Sequence, residues 1–201
     1  IAVGLATALA RRGLRVILIE GNLLQPSLHT HFGLTSQRGM GDLLERASST
    51  GGSAVDIFGA LSEAQIGEYA QAATGSGGGS GLNVVCAGAV TSPIPVLLDR
   101  RKLQPLLLRF SRAADIVLCD CRSLLSTGDA LAFATVTDGT ILVVRAGKTE
   151  GRDVAWARHL MRQAQVTAVG LVLNGCAAKQ AGEWQAVSSD NTRNKAAEEA
   201  V

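Results

Sequence analysis

No apolar run in this 201-residue sequence approaches the roughly 20 residues that a membrane-crossing helix requires. Aromatic side chains are scarce, with four Phe, two Trp and one Tyr. A core must therefore be assembled from Leu, Val, Ile and Ala, and a base-stacking surface for single-stranded nucleic acid is excluded. An excess of charge is missing too. Nineteen Lys and Arg against seventeen Asp and Glu leave a net charge of +2, too small a field to favour nucleic acid or an acidic lipid surface. The four cysteines, Cys86, Cys119, Cys121 and Cys176, are too few for a disulfide scaffold. One residue separates Cys119 from Cys121, where zinc sites have roughly two to four. The pair therefore reads as two buried thiols on one face of a strand, in a reducing compartment. What remains, 47% hydrophobic and 18% charged residues, excludes general disorder and fits a sizeable globular domain.

The order of the apolar segments sets the fold class. Residues 1–12 are rich in Ala and Leu and stop at Gly13 after two arginines, which predicts a helix with a glycine stop. Arg15–Ile19 follows as a short β-branched run, the pattern of a strand buried on both faces. The pairing recurs: a helix over Val96–Ser111 and a strand over Ile116–Cys119; a helix over Asp129–Val136 and a strand over Ile141–Val144; a helix over Thr149–Gln165 and a strand over Val169–Leu173. Helices alternating with short apolar strands require crossover connections. The expectation is an α/β fold, a mostly parallel sheet with helices on both faces. Chemistry in such folds sits in loops at the carboxyl ends of strands, here just after Ile19, Cys119, Val144 and Leu173. Gly75–Gly81 reads as a flexible loop and residues 179–201 as a polar tail, which assigns residues 1–178 to one domain.

Two of those strand ends carry carboxylates. The first strand runs into Glu20-Gly21-Asn22, and Ile116–Cys119 runs into Asp120. An apolar strand ending in Asp is how P-loop ATPases hold magnesium, a hard cation that takes oxygen ligands. Each acid alone is as compatible with a loop cap; together they mark one candidate site. Ala146-Gly147-Lys148-Thr149 imitates a phosphate loop, but the pattern G-x-x-x-x-G-K-[ST] needs Gly at position 142, where this chain has Leu142. His29 and His31 have no third ligand nearby and read as structural or surface residues. Arg152, Arg158, His159 and Arg162 read as a solvated helix face.

In sequence order, Val16–Gly33 resembles the second acidic motif of the bacterial tyrosine kinases of capsule and exopolysaccharide export, a branch of the MinD/ParA-like P-loop ATPases. Gly39–Leu44, Ala87-Gly88 with Pro93, Pro95 and Leu97-Leu98, and the strand Asp115–Asp120 resemble that family's following segments, the last its Walker B strand. Gly128–Ala130, Asp138–Arg145 and Gly170–Asn174 continue the resemblance, which spans about residues 1–176. It implies an ATP-dependent kinase or ATPase in which Asp120 and Glu20 organise Mg2+, Asn22 orients a water or hydroxyl, Glu20 is the base where a hydroxyl attacks, and Asn174 contacts the base of ATP. It further implies a membrane polysaccharide co-polymerase as partner, possible homo-oligomers, no nucleic acid, and a place on the cytoplasmic face of the inner membrane. Read this way, Ile1 follows directly on the Walker A loop. The expectation is then a fragment lacking its first strand and phosphate loop, with marginal stability.

Departures from the family pattern are specific. Asn22 stands where the family has a second Asp, and an amide accepts no proton near neutral pH. Leu24-Gln25 replaces the Arg before Pro26, Cys121-Arg122-Ser123 replaces Thr-Pro-Pro, and Tyr69 is the only tyrosine where a cluster is usual. These leave two alternatives: a non-catalytic regulatory partner of the co-polymerase, and a MinD/ParA-type positioning ATPase.

Overall fold

The computed structural model describes residues 1–35, 38–49, 63–73 and 81–176. Residues 75–80 of the glycine-rich loop, the boundary at 178 and the tail 179–201 lie outside the described residues. Helix α1 (Ala2–Arg11) ends on Gly13 at φ 88°, the left-handed stop its sequence announces. Strand β1 (Val16–Glu20) follows and is buried at all five positions. Its apolar residues alternate between the two faces of the sheet, both of which are covered by helices.

Four strands form one sheet in the order β2-β3-β1-β4. Strand β1 pairs in parallel with β3 (Leu82–Val85) and with β4 (Ile116–Asp120), and β2 (Ala70–Ala72) joins β3 antiparallel. Strands β5 (Thr140–Arg145) and β6 (Ala168–Asn174) pair in parallel as a second, two-stranded sheet. Among the described residues, β4 and β5 each have a paired strand on one side only. Parallel pairing and α/β class follow the sequence expectation; the antiparallel β2 and the four-residue β3 are additions to it.

Helices cover both faces of the larger sheet. Ala6 and Ala10 of α1 pack with Val16, Leu18, Leu82 and Val84 on one face. On the other, Ile17, Ile19 and Val85 meet α3 (Met40–Ser49), α5 (Ile94–Leu97) and α6 (Arg100–Ala113). Helix α6 buries Leu103, Leu106, Leu107 and Phe110, and α3 buries Met40, Leu43, Leu44 and Ala47; both are amphipathic stripes of i, i+3, i+4, i+7 spacing. The single helix expected over 96–111 is two. Asp99, in extended conformation, caps α6 by accepting the Arg101 N–H at 2.8 Å, and that cap ends the preceding turn.

Three short helices complete the described chain: α2 (Leu28–Phe32), α4 (Glu63–Tyr69) and α7 (Asp129–Ala134). Helix α8 (Gly151–Gln163) buries Ala157 and Met161 and leaves Arg152, Arg158, His159 and Arg162 exposed, as the sequence predicts. Among the described residues no helix is long and apolar enough to cross a membrane.

Candidate functional site

Parallel register places Glu20 directly opposite Asp120 at the carboxyl ends of β1 and β4. The ladder runs on one step, since the Gly21 N–H donates to the Asp120 carbonyl at 2.9 Å. Position 21 tolerates no side chain: a Cβ there would lie 2.8 Å from Cys121 Sγ and 3.2 Å from the Phe133 ring. The glycine thus lets the two strand ends approach closely.

The two carboxylates have different surroundings. Glu20 is 1% exposed and accepts three backbone donors. Its Oε1 accepts the N–H groups of Ser27 and Leu28, the latter at 2.8 Å, where α2 begins. Its Oε2 accepts the Ala87 N–H at 3.3 Å. A buried carboxylate is tolerable on those terms, because amide donors replace its lost water. Asp120 is half-buried, and its carboxylate has no hydrogen-bond donor among the described residues. Burial, the main cause, pushes its pKa up; the amino group of Ile1 pulls it down and the charge of Glu20 adds to the rise. Such a carboxylate, desolvated and without a donor, gains most from a cation.

Asn22 is half-buried and turned onto its own loop. Its Nδ2 donates to the Gln25 carbonyl at 2.6 Å, and its Oδ1 accepts the Gln25 N–H at 3.1 Å. Asn174 ends β6 opposite Arg145 in the second sheet. Its Oδ1 accepts the Gly175 N–H at 2.9 Å, and its carbonyl accepts that of Ala146 at 2.8 Å. The structure thus brings Glu20, Asn22 and Asp120 to one edge, and ties Asn174 to the strand end that carries Ala146.

The imitation phosphate loop is a closed turn. The Lys148 and Thr149 N–H groups both bond to the Arg145 carbonyl, and Thr149 Oγ1 accepts the Arg145 N–H at 2.9 Å. Those two amides are taken up within the turn itself. Burial pushes the Cys119 thiol up to about 12 and raises Cys121 as well, so both are protonated, poor metal ligands. His29 Nε2 lies 3.1 Å from Thr30 Oγ1 and His31 packs edge-on to Phe32, local contacts of a structural kind.

The residues that hold the site in place are not visible as motifs. Ser27, Leu28 and Ala87 act through backbone amides, which carry no side-chain signature. Asp42 and Glu45 of α3 grip the segment after β3. Asp42 Oδ2 accepts the N–H groups of Gly39 and Ala89 at 2.9 and 3.2 Å. Glu45 accepts four bonds from Thr91 and Ser92, at 2.6 to 2.9 Å. The available signal was the amphipathic spacing of α3, which puts residues 42 and 45 on its non-core side.

No family model matches the chain. It is 28% identical over 174 residues to tyrosine-protein kinase YwqD of Bacillus subtilis (strain 168), an alignment covering 87% of this chain and 65% of that protein. It is 25% identical over 182 residues to tyrosine-protein kinase ptk of Acinetobacter johnsonii, covering 90% of this chain and 22% of that protein. The chain therefore spans under two thirds of either relative. Its structure matches the kinase domain of the Escherichia coli tyrosine kinase ETK at a TM-score of 0.69 and 23% identity, over 87% of this chain and 60% of that one. The cell division ATPase MinD of Pyrococcus furiosus matches at 0.54 and 20% identity, over 86% and 64%. The chain is thus a homologue of the bacterial tyrosine kinases, with the P-loop NTPase fold that those kinases share with MinD and ParA ATPases.

Proposed function

We propose that this chain is a nucleotide-binding domain of the bacterial tyrosine kinase type, acting in capsule or exopolysaccharide biosynthesis with a membrane-embedded polysaccharide co-polymerase as its partner. The observation that carries the reading is the pairing of Glu20 with Asp120, one carboxylate held by amides and the other half-buried without a donor. When bound, magnesium supplies positive charge against phosphate oxygens. The donor set fits it: Asp120 offers a hard oxygen, directly or through a water, while Glu20 adds negative charge from the neighbouring strand. Asn22 would orient a water or hydroxyl through its amide once the turn to Gln25 opens, and Asn174 would contact the base of ATP.

The test is calorimetric titration with Mg-ADP of the full-length protein that carries this sequence. Wild-type protein should bind in a magnesium-dependent way, and Asp120→Ala should weaken binding at least about tenfold, the scale of one lost charged contact. Magnesium-independent binding, or equal affinity in the variant, overturns the assignment of Asp120.

A second reading has its own support. Glu20 is held by three amides and Asn22 is closed onto Gln25, so neither is poised as a general base. A regulatory partner that binds nucleotide without turning it over fits those contacts. Bound Mg-ATP that stays unhydrolysed in the chain joined to its co-polymerase would select this reading.

A further inference from the structure

The segment Cys86–Ser92 leaves β3 at the same sheet end as Glu20 and is bonded almost residue by residue to the start of α3. The Met40 N–H donates to the Cys86 carbonyl at 2.9 Å and the Gly41 N–H to the Ala87 carbonyl at 2.7 Å. Asp42 Oδ2 then bridges the Gly39 and Ala89 amides across Gly88, which turns the chain at φ 70°. Farther out, Glu45 takes both the amides and the hydroxyls of Thr91 and Ser92. One residue inside this bracket faces the other way: the Ala87 N–H donates to Glu20 Oε2.

We propose that Asp42 is a positioning residue of the Glu20–Asp120 site, acting through the Ala87–Ala89 turn to aim the Ala87 N–H at the Glu20 carboxylate. The proposal rests on the nucleotide-site reading for its functional consequence, and on the hydrogen bonds alone for its structural one. Asp42 sits next to Gly41, whose amide fixes the Ala87 carbonyl, and its carboxylate closes the turn two residues beyond Ala87. Loss of that carboxylate leaves Gly88, a residue of wide conformational freedom, to relax. The turn beyond Ala87 then loosens, and the Ala87 N–H is kept on Glu20 by the Met40 and Gly41 bonds alone, which hold it less firmly. Glu45 anchors the distal end at Thr91 and Ser92 and so has less leverage on Ala87.

The test combines amide hydrogen exchange with carboxyl NMR of Glu20 on the full-length protein that carries this sequence, followed by Mg-ADP titration. Asp42→Ala should speed exchange at Ala87 and Ala89 by about tenfold or more and shift the Glu20 carboxyl resonance. Asp42→Asn keeps an acceptor oxygen and should restore most of the protection. Glu45→Ala should speed exchange at Thr91 and Ser92 while leaving Ala87 within about twofold. Amides of Ile17 and Leu44, unchanged throughout, would show that the variants are folded. If Asp42→Ala unfolds the chain, the Asn and Glu45 variants carry the comparison. An Ala87 amide and a Glu20 resonance unmoved by Asp42→Ala, in folded protein, overturn the proposal. Mg-ADP affinity should fall several-fold in Asp42→Ala. Wild-type protein that fails to bind Mg-ADP overturns the nucleotide reading, and the exchange data still decide whether Asp42 positions Glu20.

Discussion

Glu45 and Asp120 are carboxylates that their surroundings drive in opposite directions. Hydrogen bonds from Ser92, with those from Thr91, hold Glu45 down at about 2 against an ordinary 4.5, while burial pushes Asp120 up. For Glu45 the sign of the coupling to folding is fixed by the depressed value. The folded state prefers the ionised form, so its stabilising contribution is whole above pH 4.5 and is lost as pH falls from there through about 2. A carboxyl NMR titration should find Glu45 ionised down to about pH 2, with the Thr91 and Ser92 amides shifting together with it. A midpoint near 4.5 would mean that the four bonds do not persist in solution. Both strand-end acids were legible from sequence because an apolar run terminating in a carboxylate is local information. The donors that hold Glu20 were not, since they come from residues 27, 28 and 87 and depend on how the segments after β1 and β3 meet.

Among elements, α3 shows what a short glycine motif does. Gly39 and Gly41 lie so close to the Cys86–Ala89 backbone that a Cβ at either would overlap its carbonyl oxygens. Gly4, in the first turn of α1, has nothing within 4 Å of its virtual Cβ. The same substitution should therefore have opposite signs. Gly41→Ala should destabilise by about 2 kcal/mol or more, since a backbone carbonyl cannot swing aside as a side chain can. Gly4→Ala should stabilise by about 0.5 kcal/mol by reducing the conformational freedom of the unfolded chain at a position where a methyl group meets nothing. Urea denaturation of both variants checks this, and a neutral Gly41→Ala would mean that α3 docks less closely. Element boundaries were less legible than element types. The run of 96–111 is divided by Asp99, a capping residue whose side chain accepts the N–H two residues on, while Pro105 sits within the first turns of α6 without ending it. Strand β3 was missed because Asn83 interrupts the apolar run Leu82–Val85 and a glycine-rich stretch precedes it.

At the scale of the molecule, the six strands are unequally secured. Strand β1 has a partner on each side and helices over both faces, and Val16, Leu18 and Ile19 are fully buried. Strands β5 and β6 have only each other among the described residues, and Ile141, Val143, Leu171 and Leu173 remain 44 to 53% exposed, with Val169 at 68%. A two-stranded sheet with one apolar residue after another in water gains little from burial, and such pairs are marginal by themselves. Opening free energies should therefore differ within the one chain, the most protected amides tracking global unfolding and the least protected opening locally. Native-state hydrogen exchange should find Leu18 and Ile19 slowest and Leu142 to Val144 faster by at least about a hundredfold, a gap of roughly 2.7 kcal/mol at RT ≈ 0.59 kcal/mol. The contrast should persist at low denaturant and vanish as global unfolding takes over. Equal protection in the two sheets would mean that β5 and β6 are secured by contacts equivalent to those of β1, and that one cooperative unit spans all six strands.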